Sequence, residues 1–167
     1  MNLLFDFTVD KAKATIHITR EFEADLDLVW DAFTKAEILD QWMAPKPWRL
    51  KTKEMDFQEG GRWLYAMISS GNVARYSLVE FVKIEPKSSF TTRNSFSDEN
   101  GNAINTDFSL TTNSFKAEAG KTILQIVKKM PSLSVLEQFI AGGMYKEGVA
   151  MSMCNLDEFL LTQVVNE

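Results

Sequence analysis

The chain predicts an α+β domain in which a curved antiparallel β-sheet wraps around one long C-terminal helix. Two observations carry that reading. From roughly Ser132 to Gln163, the residues Leu136, Ile140, Met144, Val149, Met153, Leu156 and Leu160 recur close to helical spacing, giving one continuous apolar face. Ahead of them runs a series of short alternating segments punctuated by Gly, Pro and Asn, the pattern of strands joined by tight turns. A helix with so long an apolar stripe needs a sheet to lie across, and a cavity is expected between helix and sheet.

The elements follow in order. Ala14-Thr15-Ile16-His17-Ile18-Thr19 alternates and is rich in β-branched residues, so it reads as the first strand, ending near Phe22. Asp25 is placed as an N-cap and Asp27 lies in the first turn, while Leu26, Val29, Trp30 and Phe33 mark one face of a short helix. A second short helix spans about Ala36 to Trp42 and is stopped by Ala44-Pro45-Lys46-Pro47. Strands are predicted over Trp48 to Phe57, Arg62 to Ser69, Val73 to Ile84, Ser89 to Ser97, Thr106 to Glu118 and Lys121 to Met130. Gly60-Gly61, Ser70-Gly71-Asn72, Pro86, Asp98-Glu99-Asn100-Gly101-Asn102 and Ala119-Gly120 separate them. Ser132 or Ser134 caps the long helix, within which Gly142-Gly143 is expected to introduce weakness or a kink.

Composition narrows the function. A chain of 167 residues with 45% hydrophobic content and 12 Phe buries a sizeable core as one domain, 1–167, with no linker or repeat to divide it. A net charge of −5 argues against nucleic acid and against an anionic membrane surface as partners. The single Cys154 excludes an intrachain disulfide, no apolar run reaches the length of a membrane span, and Met1 to Asp10 lacks the pattern of a signal peptide. A cytoplasmic location is the expectation.

Several local sequences, in order, resemble one family. They are Thr19-Arg20-Glu21-Phe22, Val29-Trp30-Asp31-Ala32-Phe33-Thr34, Trp42 followed by Pro45, and Asp56-Phe57 before Gly60-Gly61-Arg62-Trp63 with Met67. Ile84-Glu85-Pro86 and Gly148 with Asn155-Leu156 continue the series. Together they resemble the START-like (SRPBCC) superfamily, and within it the branch similar to the activator of heat-shock-protein-90 ATPase. Gln58-Glu59 stands where that branch often has Arg-Pro, Val149 where Trp is frequent, and Arg75-Tyr76-Ser77 lacks the usual Gly. The resemblance implies a helix-grip (START/Bet v-like) fold, with two short helices after the first strand. It also implies binding of a small, mostly hydrophobic molecule. Related roles are a chaperone-associated interaction domain or a cyclase or hydrolase on the same fold; a non-enzymatic role is favoured, and no cofactor is implied.

Trp63, Tyr65 and Met67 share a strand parity and point to one face; turned inward, they would line the cavity. Tyr76, Met144 and Gly148 are expected as further neighbours of it, with the Trp63 indole N–H and the Tyr65 or Tyr76 phenol offered to a ligand. Ordinary core packing accounts for the aromatic strand equally well. Met144, Met151 and Met153 suit an adaptable wall or a gap-filled core, and Gly142-Gly143 either a hinge or close packing. His17, the sole histidine, lies on the opposite strand face from Ile16 and Ile18 and reads as structural; Cys154 reads as a small inert hydrophobe. Glu54, Asp56 and Glu59 are read as surface carboxylates, and Arg49, Lys51 and Lys53 as a basic ledge open to an acidic protein. No phosphate-binding loop, dinucleotide fingerprint or Cys/His metal spacing is present.

Overall fold

The computed structural model describes residues 3–105 and 107–165. Eight strands form a single antiparallel sheet: β1 (Phe5–Asp10), β2 (Thr15–Phe22), β3 (Arg49–Met55), β4 (Arg62–Ile68), β5 (Ala74–Glu85), β6 (Ser89–Ser97), β7 (Ser109–Glu118) and β8 (Lys121–Lys129). Their order is β1-β2-β8-β7-β6-β5-β4-β3. Helices α1 (Leu26–Thr34) and α2 (Ala36–Trp42) follow β2, and α3 (Leu133–Ile140) and α4 (Met144–Val165) close the chain. This is the expected helix-grip arrangement, with two differences.

The first difference is β1. Phe5, Phe7 and Val9 alternate with Asp6, Thr8 and Asp10, and this period-two pattern pairs with β2 in the register Phe7↔Ile18. The sequence pattern places the first strand at Ala14, so β1 is a strand beyond those expected. The second difference is the C-terminal helix, which is two helices and not one. Gly142 and Gly143 both take left-handed conformations, with φ of 76° and 74°, and a single 3₁₀ turn over Ala141–Gly143 separates α3 from α4. Ser132 caps α3 by accepting from the Val135 N–H at 3.2 Å. Asp25 occupies the N-cap position of α1 without a capping hydrogen bond from its side chain. The strand predicted from Thr106 begins at Ser109; Thr106 itself lies outside the described residues.

Helix α1 drives Trp30 into the sheet, where its indole meets Phe115, Phe90 and Phe57 edge-on at centroid distances of 5.2, 5.8 and 6.0 Å. Phe33 joins Trp42 to the same cluster at 4.9 Å. This aromatic plug fills the space between sheet and helices at the end of β6 and β7 where Phe90 and Phe115 lie. Met153, Leu156 and Leu160 of α4 are buried against that core, and Leu136 of α3 closes a second cluster with Ile16, Ile18 and Met130.

Polar fasteners set the position of α4. The Asn155 amide donates to the Trp42 and Ala44 carbonyls at 3.2 and 3.1 Å, and the Ser152 hydroxyl donates to the Met43 carbonyl at 2.7 Å. Buried Arg20 of β2 pairs with Asp157. At the edge strand β3, Asp40 of α2 accepts the Thr52 N–H at 3.1 Å, capping an edge amide that would otherwise be open to another strand.

Candidate functional site

Beyond the aromatic plug, sheet and helices separate to leave a cavity of about 690 Å³. Antiparallel register decides which side chains reach it. Val79 pairs with Asn94 and Asn94 with Ser109, while Phe81 pairs with Thr92 and Thr92 with Thr111, so these positions all share one face. The wall from β4 and β5 carries Trp63, Tyr65, Met67 and Ser77. The floor from β6 to β8 carries Thr92, Asn94, Ser109, Thr111, Asn113 and Lys128. Helices α3 and α4 supply Val135, Phe139, Tyr145, Gly148 and Met153 as the roof. The rim is exposed: Phe96 is 51% and Met144 79% accessible, with Asn105 and Asp107 beside them in the loop before β7.

Of the residues expected from the sequence, Trp63, Tyr65, Met67, Met144 and Gly148 line this cavity. Tyr76 does not. It pairs with Ala66, one position from Ser77, and alternation sends it to the convex face of the sheet. The Trp63 indole is also not free for a ligand as expected. It donates to the Thr52 hydroxyl at 3.0 Å, and Thr52 in turn donates to Asp40 at 2.6 Å. Trp63 therefore contributes a flat apolar surface, stacked on Tyr65 at 4.2 Å with 29° between the rings.

Two phenols stay as hydrogen-bond donors. Burial pushes the Tyr65 hydroxyl upward from its ordinary value, with the Ser77 hydroxyl pulling the other way. Burial pushes Tyr145 further up, and nearby Tyr65 adds to the effect. Both are neutral at physiological pH. Tyr145 is held by Phe139, 4.4 Å away between centroids, and by Phe7 of the N-terminal strand at 6.1 Å.

The residue that sequence reading missed is Lys128. Its strand parity is that of Thr122, Leu124, Ile126 and Met130, the inward face of β8. Its Nζ lies 3.4 Å from the Thr111 hydroxyl and 5.5 Å from the centre of the Phe139 ring. Burial lowers its pKa to about 8. Lys128 is half-buried and lines the cavity, where the surrounding protein desolvates its ammonium. A lysine on the apolar parity of a strand was the available signal. The Asn94, Thr111 and Asn113 floor was hidden for a related reason: the polar parity of β7 faces inward here, while Leu110 faces out.

The remaining candidates lie elsewhere. His17 is exposed on the convex face. Cys154 is exposed on α4 and not packed among apolar neighbours as expected. Glu54 forms a two-point pair with Arg62 at 3.0 Å on the surface, and Glu59 accepts the Ile84 N–H at 3.1 Å. Arg49, Lys51 and Lys53 are exposed along edge strand β3. Met151 is exposed outside the cavity. Among the described residues no cluster of three His, Cys, Asp or Glu side chains has metal-binding geometry, and no helix is long and apolar enough to cross a membrane.

A family model described as "Activator of Hsp90 ATPase homolog 1-like protein" matches residues 23–160. No curated protein matches the sequence significantly. Among solved structures, a Mycobacterium smegmatis protein is similar with a TM-score of 0.86 at 22% identity, over 97% of this chain and 99% of that one. An Arthrobacter aurescens protein gives 0.85 at 22% identity over 94% and 91%, and a Staphylococcus epidermidis protein 0.83 at 24% identity over 93% and 94%. At these identities the likeness is one of fold.

Proposed function

The chain belongs to the family of Activator of Hsp90 ATPase homolog 1-like proteins, and on that premise we propose that it binds one small, mostly apolar molecule between sheet and helices. The observation that carries this reading is the cavity itself. Its volume of about 690 Å³ sits within the range of small-molecule sites, and its aromatic wall with polar groups converging on the floor gives an apolar body and a polar end separate places to lie. Trp63, Tyr65 and Met67 form the wall against which the ligand packs, Tyr65 orients it, and Met144 with Gly148 borders the way in. Tyr145 is a second orienting donor. The exposed Phe96 and Met144 at the rim give an apolar ligand a path from solvent.

The test is titration with the neutral fluorophore N-phenyl-1-naphthylamine. The wild-type protein is expected to enhance its emission at one-to-one stoichiometry. Ser77→Phe, which places a ring inside the cavity, is expected to abolish that signal with the fold intact by circular dichroism, while Tyr76→Phe on the opposite face leaves it unchanged. Equal binding by all three proteins would place the fluorophore outside the cavity and refute the reading. The family description also supports a chaperone-associated role, which a pull-down with the chaperone would test directly; absence of capture disposes of it.

A further inference from the structure

Among the described residues, Lys128 is the one basic group lining the cavity, and the only acidic side chain lining it is Asp107 at the exposed rim. Among the described residues no carboxylate lies at salt-bridge distance from Lys128; the ion pairs engage other cations, Arg20, Lys35, Lys46, Arg62, Lys83, Lys87 and Lys121. The neighbours of Lys128 on each side are neutral. Thr111 stands beside it on β7, Ile16 on β2, and Phe139 above it on α3. A buried ammonium normally has a partner charge, because desolvation without one is costly. Here the protein supplies a hydroxyl at 3.4 Å and the face of a ring, and leaves the rest of the ammonium turned to the cavity.

Building on the cavity-binding reading, we infer that the occupant is an amphiphile bearing a single carboxylate, which the Lys128 ammonium receives at the polar floor while the apolar body lies against Trp63, Tyr65 and Met67. The charge balance sets the class. One cation neutralises a monoanion; a phosphate monoester, carrying close to two charges, would leave one uncompensated in a cavity with no arginine among its lining residues. Thr111 and Asn113 flank the carboxylate position with neutral polar groups that hydrogen-bond without adding charge.

The test compares dodecanoate with dodecanol, methyl dodecanoate and dodecyl phosphate by isothermal titration at pH 7. On the wild-type protein dodecanoate is expected to bind at least about tenfold more tightly than the alcohol or the ester, the scale of a charge-assisted contact in a desolvated site. In Lys128→Met that preference is expected to fall to within about twofold, with dodecanol binding retained. Should the variant fail to fold, the Lys128 side chain is followed by NMR in the wild-type protein, where dodecanoate raises its pKa and dodecanol does not. Equal binding of acid and alcohol to the wild-type protein overturns the carboxylate assignment and leaves the cavity reading standing. Tighter binding of dodecyl phosphate overturns it in favour of a phosphate. Failure of every probe to bind overturns both readings.

Discussion

Lys128 places an unpaired charge on the inward face of a strand, and that placement has a cost that unfolding can read. Its folded pKa of about 8 lies below its ordinary value of 10.5, so between those values the unfolded chain binds more protons than the folded one. Stability from this group therefore rises as pH climbs from about 8 to about 10.5, and below about 8 the whole cost is present. Lys128→Met is expected to stabilise the unliganded protein at pH 7 by on the order of 2 kcal/mol, and the gain is expected to shrink towards pH 10.5. Urea denaturation at both pH values measures it; an equal change at the two would contradict the account. Ligand affinity has its own pH dependence. A bound carboxylate favours the protonated lysine, so dodecanoate affinity holds below pH 8 and falls by up to about tenfold per unit above it. Asp107, the other charged side chain lining the cavity among the described residues, sits at the exposed rim.

The junctions between elements carry the next set of expectations. Asn155 holds α4 to the end of α2 through two carbonyls, so Asn155→Ala leaves the Trp42 and Ala44 acceptors without that donor and is expected to cost about 1–3 kcal/mol in thermal or urea unfolding. Gly142 and Gly143 hold the break between α3 and α4 at positive φ with no neighbouring atom within 4 Å of an added methyl group. Gly142→Ala is thus expected to cost about 1–2 kcal/mol from backbone strain alone and not from a clash. In the sequence this glycine pair marks a weak point inside one helix. Spacing alone could not show that two consecutive left-handed residues would end α3 outright. β1 was legible in the alternation of Phe5, Phe7 and Val9 but was read only for targeting. The other boundaries fell within a few residues of the observed ones because Gly, Pro and Asn mark the turns so plainly.

Across the whole molecule, the order of strands and helices was readable because each element repeats its own period and the turn residues separate them. The cavity was readable only in part. Parity in β4 brings Trp63, Tyr65 and Met67 to one face, but parity within a strand does not fix the register across the next turn, and Tyr76 lies on the other face for that reason. The polar floor depends on three strands in register, Asn94 with Ser109 and Thr111 with Lys128, a relation that exists only once the sheet has formed. Trp63 lies in the cavity wall, and its indole N–H is taken by Thr52 of the neighbouring strand, a partner that spacing within β4 does not reveal. Whether the folded chain encloses one ligand is read by native mass spectrometry of the protein purified from its own host, followed by denaturing extraction. A molecule retained at one copy per chain, with an apolar body and a carboxylate, is the expected result. Protein that is empty when isolated, and remains empty after incubation with dodecanoate and dodecanol, would refute the binding of a ligand in this cavity.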